Sequence, residues 1–193
     1  MSVSTSDSII SETINLVSRY PLNKVTVKKI VEACNITRNT FYYHFKDVYD
    51  VIDCAVDTRL KEITNQDSLE TVDEKLFSLI SFLYDNRKVL KNIYISIGHE
   101  EFIKFISAKN SVFFDSFFDN LENADKINPL DRKIVLGFYS EAVTSLLITW
   151  LLNPKGNDSF EYFTTVMNRV RVLFKGNTAL YIKNSLENPL DTK

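Results

Sequence analysis

Residues 37–47 read Thr-Arg-Asn-Thr-Phe-Tyr-Tyr-His-Phe-Lys-Asp. Arg38 carries a planar fork of N–H donors, and Asn39 a carboxamide that both donates and accepts. Such groups suit bidentate hydrogen bonding to flat polar edges: arginine to the O6/N7 edge of guanine, asparagine to the N6/N7 edge of adenine. Tyr42 and His44 can donate to phosphate oxygens, and Lys46 adds a positive charge. Phe41 and Phe45 stand four apart, the spacing of a single helical face. If that face is buried, Arg38, Asn39 and the ring of Tyr43 project elsewhere. The run is then half core and half recognition surface.

Presenting that surface requires a helix held by its neighbours. A first helix is expected over Thr5–Tyr20, with Ile10, Ile14 and Val17 on one face and Pro21 ending it. Thr26 is placed to cap a second, in which Val27, Ile30 and Val31 fall at i, i+3, i+4 and which ends near Cys34. Asn35 tolerates the left-handed backbone of a sharp turn. Thr37 can then cap a third helix that includes Thr40. Helix, four-residue turn, helix is the arrangement that lays its second helix in the DNA major groove. Asp47 would assist the start of a fourth helix running to about Thr64.

Charge follows the same division. Within the 193 residues the formal net charge is −2, but residues 1–46 carry Arg19, Lys24, Lys28, Lys29, Arg38 and Lys46 against Asp7, Glu12 and Glu32, a net of +3. The remainder is acidic. A small basic head on an acidic body is the asymmetry of a chain that touches nucleic acid at one end.

With four glycines and four prolines falling between periodic segments, the remainder is also expected to be helical, making the fold all-α. Helices are expected over 72–86, 87–97, 99–121, 130–152 and 159–175. Residues 65–70 form a linker, 153–158 a turn, and the end of the chain a short helix or loose tail. The longest apolar stretch, 143–152, is short for a membrane span, and the N-terminus lacks a signal-peptide pattern. Cys34 and Cys54 form neither a metal-ligand spacing nor a disulfide framework. A cytoplasmic chain with free thiols and no membrane partner is expected.

The stretch 25–47, VTVKKIVEACNITRNTFYYHFKD, resembles the DNA-binding head of TetR-family transcriptional regulators. Thr40, Phe41, Tyr42 and Phe45 match the family's T-hydrophobic-Tyr-x-x-Phe pattern. Asn35 stands where a turn glycine is usual, and Asn39 where a small residue is usual. Val48 stands where the fourth helix commonly begins with lysine, which implies a phosphate contact either missing or moved to Lys46. The resemblance implies a head at 1–46 and a body for effector binding and dimerisation at 47–193. It implies DNA contacts from Thr26, Lys28, Thr37, Arg38, Asn39, Thr40, Tyr42, Tyr43, His44 and Lys46.

The same resemblance implies a small-molecule pocket in the body and a homodimer formed through the last two long helices. Tyr84, Tyr94, Phe102, Phe113 and Phe117 are the candidate pocket wall, with plain core as the other reading of such aromatic clusters. Phe138, Ala142, Leu146, Trp150, Phe163, Met167 and Val170 are the candidate dimer face, with an internal core face as the alternative. No glycine-rich phosphate loop, nucleophile elbow or metal-ligand spacing suggests an enzyme, and no cofactor or metal is expected. The resulting expectation is a regulator of transcription bound to a palindromic operator, a repressor released by an effector. An activator or a protein-binding adaptor on the same fold is the alternative.

Overall fold

The computed structural model describes residues 4–65, 72–119, 122–153 and 160–187, and among these there are nine α-helices and no strand. By packing, the chain forms two compact units, one of residues 1–69 and 81–102, the other of 70–80 and 103–193. This differs from a division at 46/47. The physical reason is that α4 (Val48–Asn65) does not leave the head: its Val48, Val51, Ile52, Leu60 and Ile63 are buried, and it packs on the first helix.

In the first unit, α1 (Thr5–Arg19) begins at Ser4, whose hydroxyl accepts from the Asp7 N–H at 3.1 Å. Its fully buried line is Ile9, Thr13 and Val17, at i, i+4, i+8. Ile10 and Ile14, expected on the buried face, flank that line half-buried. Threonine is tolerated inside because its hydroxyl donates to the Ile9 carbonyl at 2.7 Å. A single 3-10 turn, Leu22–Lys24, follows Pro21, and α2 spans Val27–Cys34. The Cys34 thiol donates to the Ser8 carbonyl at 3.6 Å, tying α2 to α1. The unit is completed by α3 (Arg38–His44), α4, the end of α5 (Val72–Asp85), α6 (Arg87–Ile97) and the start of α7 (His99–Phe118). α6 ends on Gly98 at φ 81°, ψ 171°, a conformation that glycine alone adopts without strain.

In the second unit, α8 (Pro129–Leu152) starts at Asn128, whose side chain accepts from the Asp131 N–H, with Pro129 in the first turn. α8 is long and apolar enough to cross a membrane by length and composition, yet more than half of that stretch is buried inside the unit. Its polar groups are held internally. The buried Asp131 carboxylate accepts from the Tyr181 hydroxyl at 2.7 Å and from the Asn128 amide. Arg132 reaches Asp115 at 2.6 Å and Asp119 at 2.7 Å, with its guanidinium 4.8 Å from the centre of the Phe118 ring. The Thr144 hydroxyl accepts from the Asn110 amide at 2.9 Å and donates to the Ser140 carbonyl.

The last helix, α9, runs Phe160–Glu187, well past the expected end at 175. Gly176 does not stop it, because Thr178 and Ile182 carry the buried face onward. Ser159 and most of 65–70 and 153–158 lie outside the described residues.

The left-handed turn after α2 yields a stability prediction. Asn35 sits at φ 52°, ψ 47°. Asn35→Val, which puts a β-branched side chain there, should lower stability by ~1–2 kcal/mol, and Asn35→Gly should be close to neutral. Urea denaturation followed by helical circular dichroism measures both, and equal midpoints for Val and Gly would show that the turn is not set by backbone conformation.

Candidate nucleic-acid interface

Two capped helices and one left-handed residue build the site. Thr26 accepts the Lys29 N–H on its hydroxyl at 3.3 Å, starting α2. At the other end the Asn35 N–H donates to the Glu32 carbonyl and the Ile36 N–H to the Val31 carbonyl, at 3.3 and 3.0 Å. That 5→2 and 6→1 pair is a Schellman motif, and the positive φ it demands is why asparagine can replace glycine here. Two residues later the Thr37 hydroxyl accepts the Thr40 N–H at 3.1 Å, and the two threonine hydroxyls lie 2.8 Å apart.

α3 then has its roll fixed by Phe41 and Phe45, both buried. Their rings are 6.1 Å apart, and Tyr42 meets Phe41 edge-on at 5.5 Å. Arg38, Asn39, Tyr42, Tyr43 and His44 are all exposed, Tyr43 to 85%. Tyr43 and His44 touch edge-on at 5.0 Å, so the ridge is aromatic as well as polar. Lys28 and Lys46 are exposed; Lys28 pairs with Glu32 only at 3.8 Å, across solvent. Such a pair is weak and exchanges readily for another anion. Lys29 differs: its ammonium donates to the Lys24 carbonyl at 2.9 Å and lies 5.1 Å from the centre of the Tyr20 ring. It is committed to its own turn.

The ten head residues named from sequence are thus brought to α3 and to the segments that flank it. Thr26 and Thr37 each spend an acceptor site on a cap, and the Thr40 hydroxyl pairs with that of Thr37. A residue that spacing did not single out is Tyr49, half-exposed in the first turn of α4 beyond Lys46. That turn is closed by Asp47, which accepts the Asp50 N–H at 2.9 Å, and by Asp50, which accepts the Lys46 N–H at 2.8 Å. Its signal was only an aromatic residue beside a helix start.

The aromatic residues proposed for a pocket separate. Tyr84, Tyr94 and Phe102 belong to the first unit, where Tyr94 meets Phe102 edge-on at 5.3 Å. Phe113 belongs to the second and is packed against Phe114, which continues to Phe174 and Tyr139 at 5.0 and 6.1 Å. The side chain of Phe117 lies outside the described residues. A groove of about 640 Å³ on the second unit is lined by Asn123, Leu180, Ile182, Lys183 and Leu186, among others, and by none of the five.

The residues proposed for a dimer face divide as well. Phe138 is 68% exposed and Leu146 is exposed, while Ala142 and Val170 are half-buried. Trp150, Phe163 and Met167 are buried, Trp150 stacked on Phe163 at 4.1 Å. These three are core of their own unit and are withdrawn from the outer face. Other apolar residues of these helices are exposed: Leu130 and Ile134, which continue to Phe138 at steps of four, and Leu173 and Leu180 on α9.

The bacterial regulatory proteins of the tetR family match residues 9–51, and a transcriptional regulator C-terminal region, TetR_C_8, matches residues 70–171. No curated protein matches the chain significantly. Among solved structures the chain is similar to the dihydroxyacetone kinase operon activator DhaS, with a TM-score of 0.70 and 15% identity over 93% of this chain and 98% of that one. It is also similar to a tetR-family transcriptional regulator from Streptomyces coelicolor (TM-score 0.59, 12% identity, 100% and 93% covered). A third is the fatty acid degradation regulator FadR from Bacillus halodurans (TM-score 0.51, 16% identity, 91% and 97% covered). At these identities the likeness is one of fold. With its capped and outward-facing α3 inside one matched region, and most of its body inside the other, the chain belongs to the TetR family of DNA-binding transcriptional regulators and not to a family of enzymes.

Proposed function

We propose that this chain is a homodimeric repressor whose two α3 helices read the half-sites of a palindromic operator, and that a small-molecule effector releases it. The observation that carries the reading is the exposed surface of α3: Arg38 stands exposed at its first position, and Asn39 and Tyr43 on the face opposite the buried Phe41 and Phe45. The basic charge of residues 1–46 supplies the phosphate attraction. Lys28, Tyr42, His44 and Lys46 position the head, and the caps set where α3 begins.

Dimerisation is supported by the exposed apolar line Leu130, Ile134 and Phe138 on α8 with Leu173 and Leu180 on α9. Contiguous apolar surface of that kind is what an association face covers. Pairing two heads roughly adds their free energies of binding. The effector step rests on the match of residues 70–171 to the family's C-terminal region. The aromatic content of the body suits an apolar or planar ligand. Such a protein works in the cytoplasm, where its operator is. DhaS, which shares the fold, is named an activator, so the second reading is an activator built the same way.

Selection of bound sequences from random duplex DNA, followed by transcription in vitro from a promoter carrying the selected site, tests the reading. A palindromic site and reduced transcript are expected. Increased transcript would establish the activator, and no enrichment of any sequence would point to a protein-binding adaptor.

On that operator, Arg38→Ala should cost about 1–3 kcal/mol and relax preference at one position of each half-site. An equal loss on random DNA would reassign Arg38 to phosphate. Lys46→Ala should instead weaken binding to all sequences alike and reduce the magnitude of the salt slope by about one per head. An unchanged slope would remove Lys46 from the contact set. Phe138→Glu changes a side chain that is already exposed in the single chain, so it should leave folding intact and convert the dimer to a monomer. Sedimentation equilibrium reads this directly, and a persisting dimer would move the interface away from α8.

A further inference from the structure

Pro21 leaves two backbone groups at the end of α1 without partners in their own segment. The Val17 carbonyl would receive the N–H of residue 21 if the helix continued, but proline has none. α1 in fact ends at Arg19, and the Tyr20 N–H goes to the Leu16 carbonyl. Past the proline, the 3-10 turn uses the N–H groups of Lys24 and Val25 and leaves that of Asn23 outside its own bonding.

Both groups are met by one helix. The Asn92 amide of α6 donates to the Val17 carbonyl at 2.7 Å, across 75 residues of sequence. The Asn23 N–H donates to the Ser96 hydroxyl at 3.3 Å. The Ser96 hydroxyl spends its own proton on the Asn92 carbonyl at 2.7 Å, which leaves its lone pairs to accept. Asn92 and Ser96 are four apart and so share a face of α6, and Ile93 and Val89 beside them are buried. The α6 helix packs on α1 and on the 3-10 turn; α1 packs on α2, and α2 on α3.

We propose that Asn92 and Ser96 form a polar latch on the turn after α1, and are positioning residues that hold α1, and through it the recognition helix, in the orientation used on DNA. The latch touches no DNA-facing side chain and acts on backbone atoms at the proline break. It deepens the operator-binding reading and rests on it. α4 also packs on α1, and the latch makes α6 a second grip on the same helix.

The test uses the full-length protein and the selected operator. Asn92→Asp keeps size and removes the donor, setting a carboxylate against the Val17 carbonyl. Ser96→Ala removes the acceptor for Asn23 and leaves the Asn92–Val17 bond, and it serves if Asn92→Asp does not fold. Each folded variant should bind the operator about tenfold more weakly, with the salt slope and the base preference at the Arg38 position unchanged. A contact that merely stabilises the fold would lower the urea midpoint and leave the operator Kd of the folded protein as it was. Wild-type Kd in the folded variants therefore overturns the latch. Arg38→Ala run in parallel keeps the two readings apart: if it leaves base preference intact while the latch variants still bind weakly, the latch stands and the base-reading role of Arg38 falls.

Discussion

Burial of Phe41 and Phe45 governs the head. A helix of seven residues has no stability of its own, because nucleation costs more than so few hydrogen bonds return. Two phenylalanines driven into the core contribute roughly 1.5–3 kcal/mol each, which is enough to hold it. The same burial fixes its roll. At 100° per residue, a pair at i and i+4 turns Asn39 and Tyr43 to the outside, while Arg38, three residues before Phe41, is exposed as the first residue of the helix. The most exposed aromatic ring among the described residues, Tyr43, is therefore a consequence of the two buried rings on either side of it.

The polar bonds decide where α3 starts and which way it points. Thr37 caps it, the Schellman turn at Asn35 sets the angle from α2, and Asp47 with Asp50 closes the chain beyond it. Each uses a short side chain to satisfy backbone groups that a helix end leaves open. The break at Pro21 is the same problem solved at long range, by Asn92 and Ser96. Apolar burial supplies the stability of the unit, and these directional bonds supply its geometry.

The head was legible because its rules are local. A threonine cap, a turn residue that accepts positive φ and two phenylalanines four apart all act within a few positions of sequence. The division at 46/47 was not legible: Val48, Val51 and Ile52 look like any helix start, and only their burial assigns α4 to the head. The body resisted for a related reason. Trp150 and Met167 carry the same apolar pattern as Phe138 and Leu146, and periodicity does not say which stripe a helix turns inward when both are apolar. α8 is apolar nearly all round. Steps of four from Leu130 through Ile134 to Phe138 marked the outer line, but a second such line inside competed with it. Gly176 misled in the opposite sense, since a lone glycine weakens a helix and does not end one.

The charge division bears on how selective such a head can be. Phosphate attraction binds every sequence, so a protein that is basic throughout would hold random DNA almost as well as its operator. Here the net positive charge is confined to residues 1–46, and the rest of the chain, though it carries lysines and arginines of its own, is acidic in balance. A small net charge per head leaves more of the affinity to the proposed base contacts and to the proposed pairing of two heads. A weak electrostatic term makes the orientation of α3 matter more, because no excess of nonspecific attraction compensates for a misplaced Arg38 or Asn39. Rigid attachment of that short helix, through Phe41, Phe45 and the turns around them, is thus tied to the small charge that the head carries.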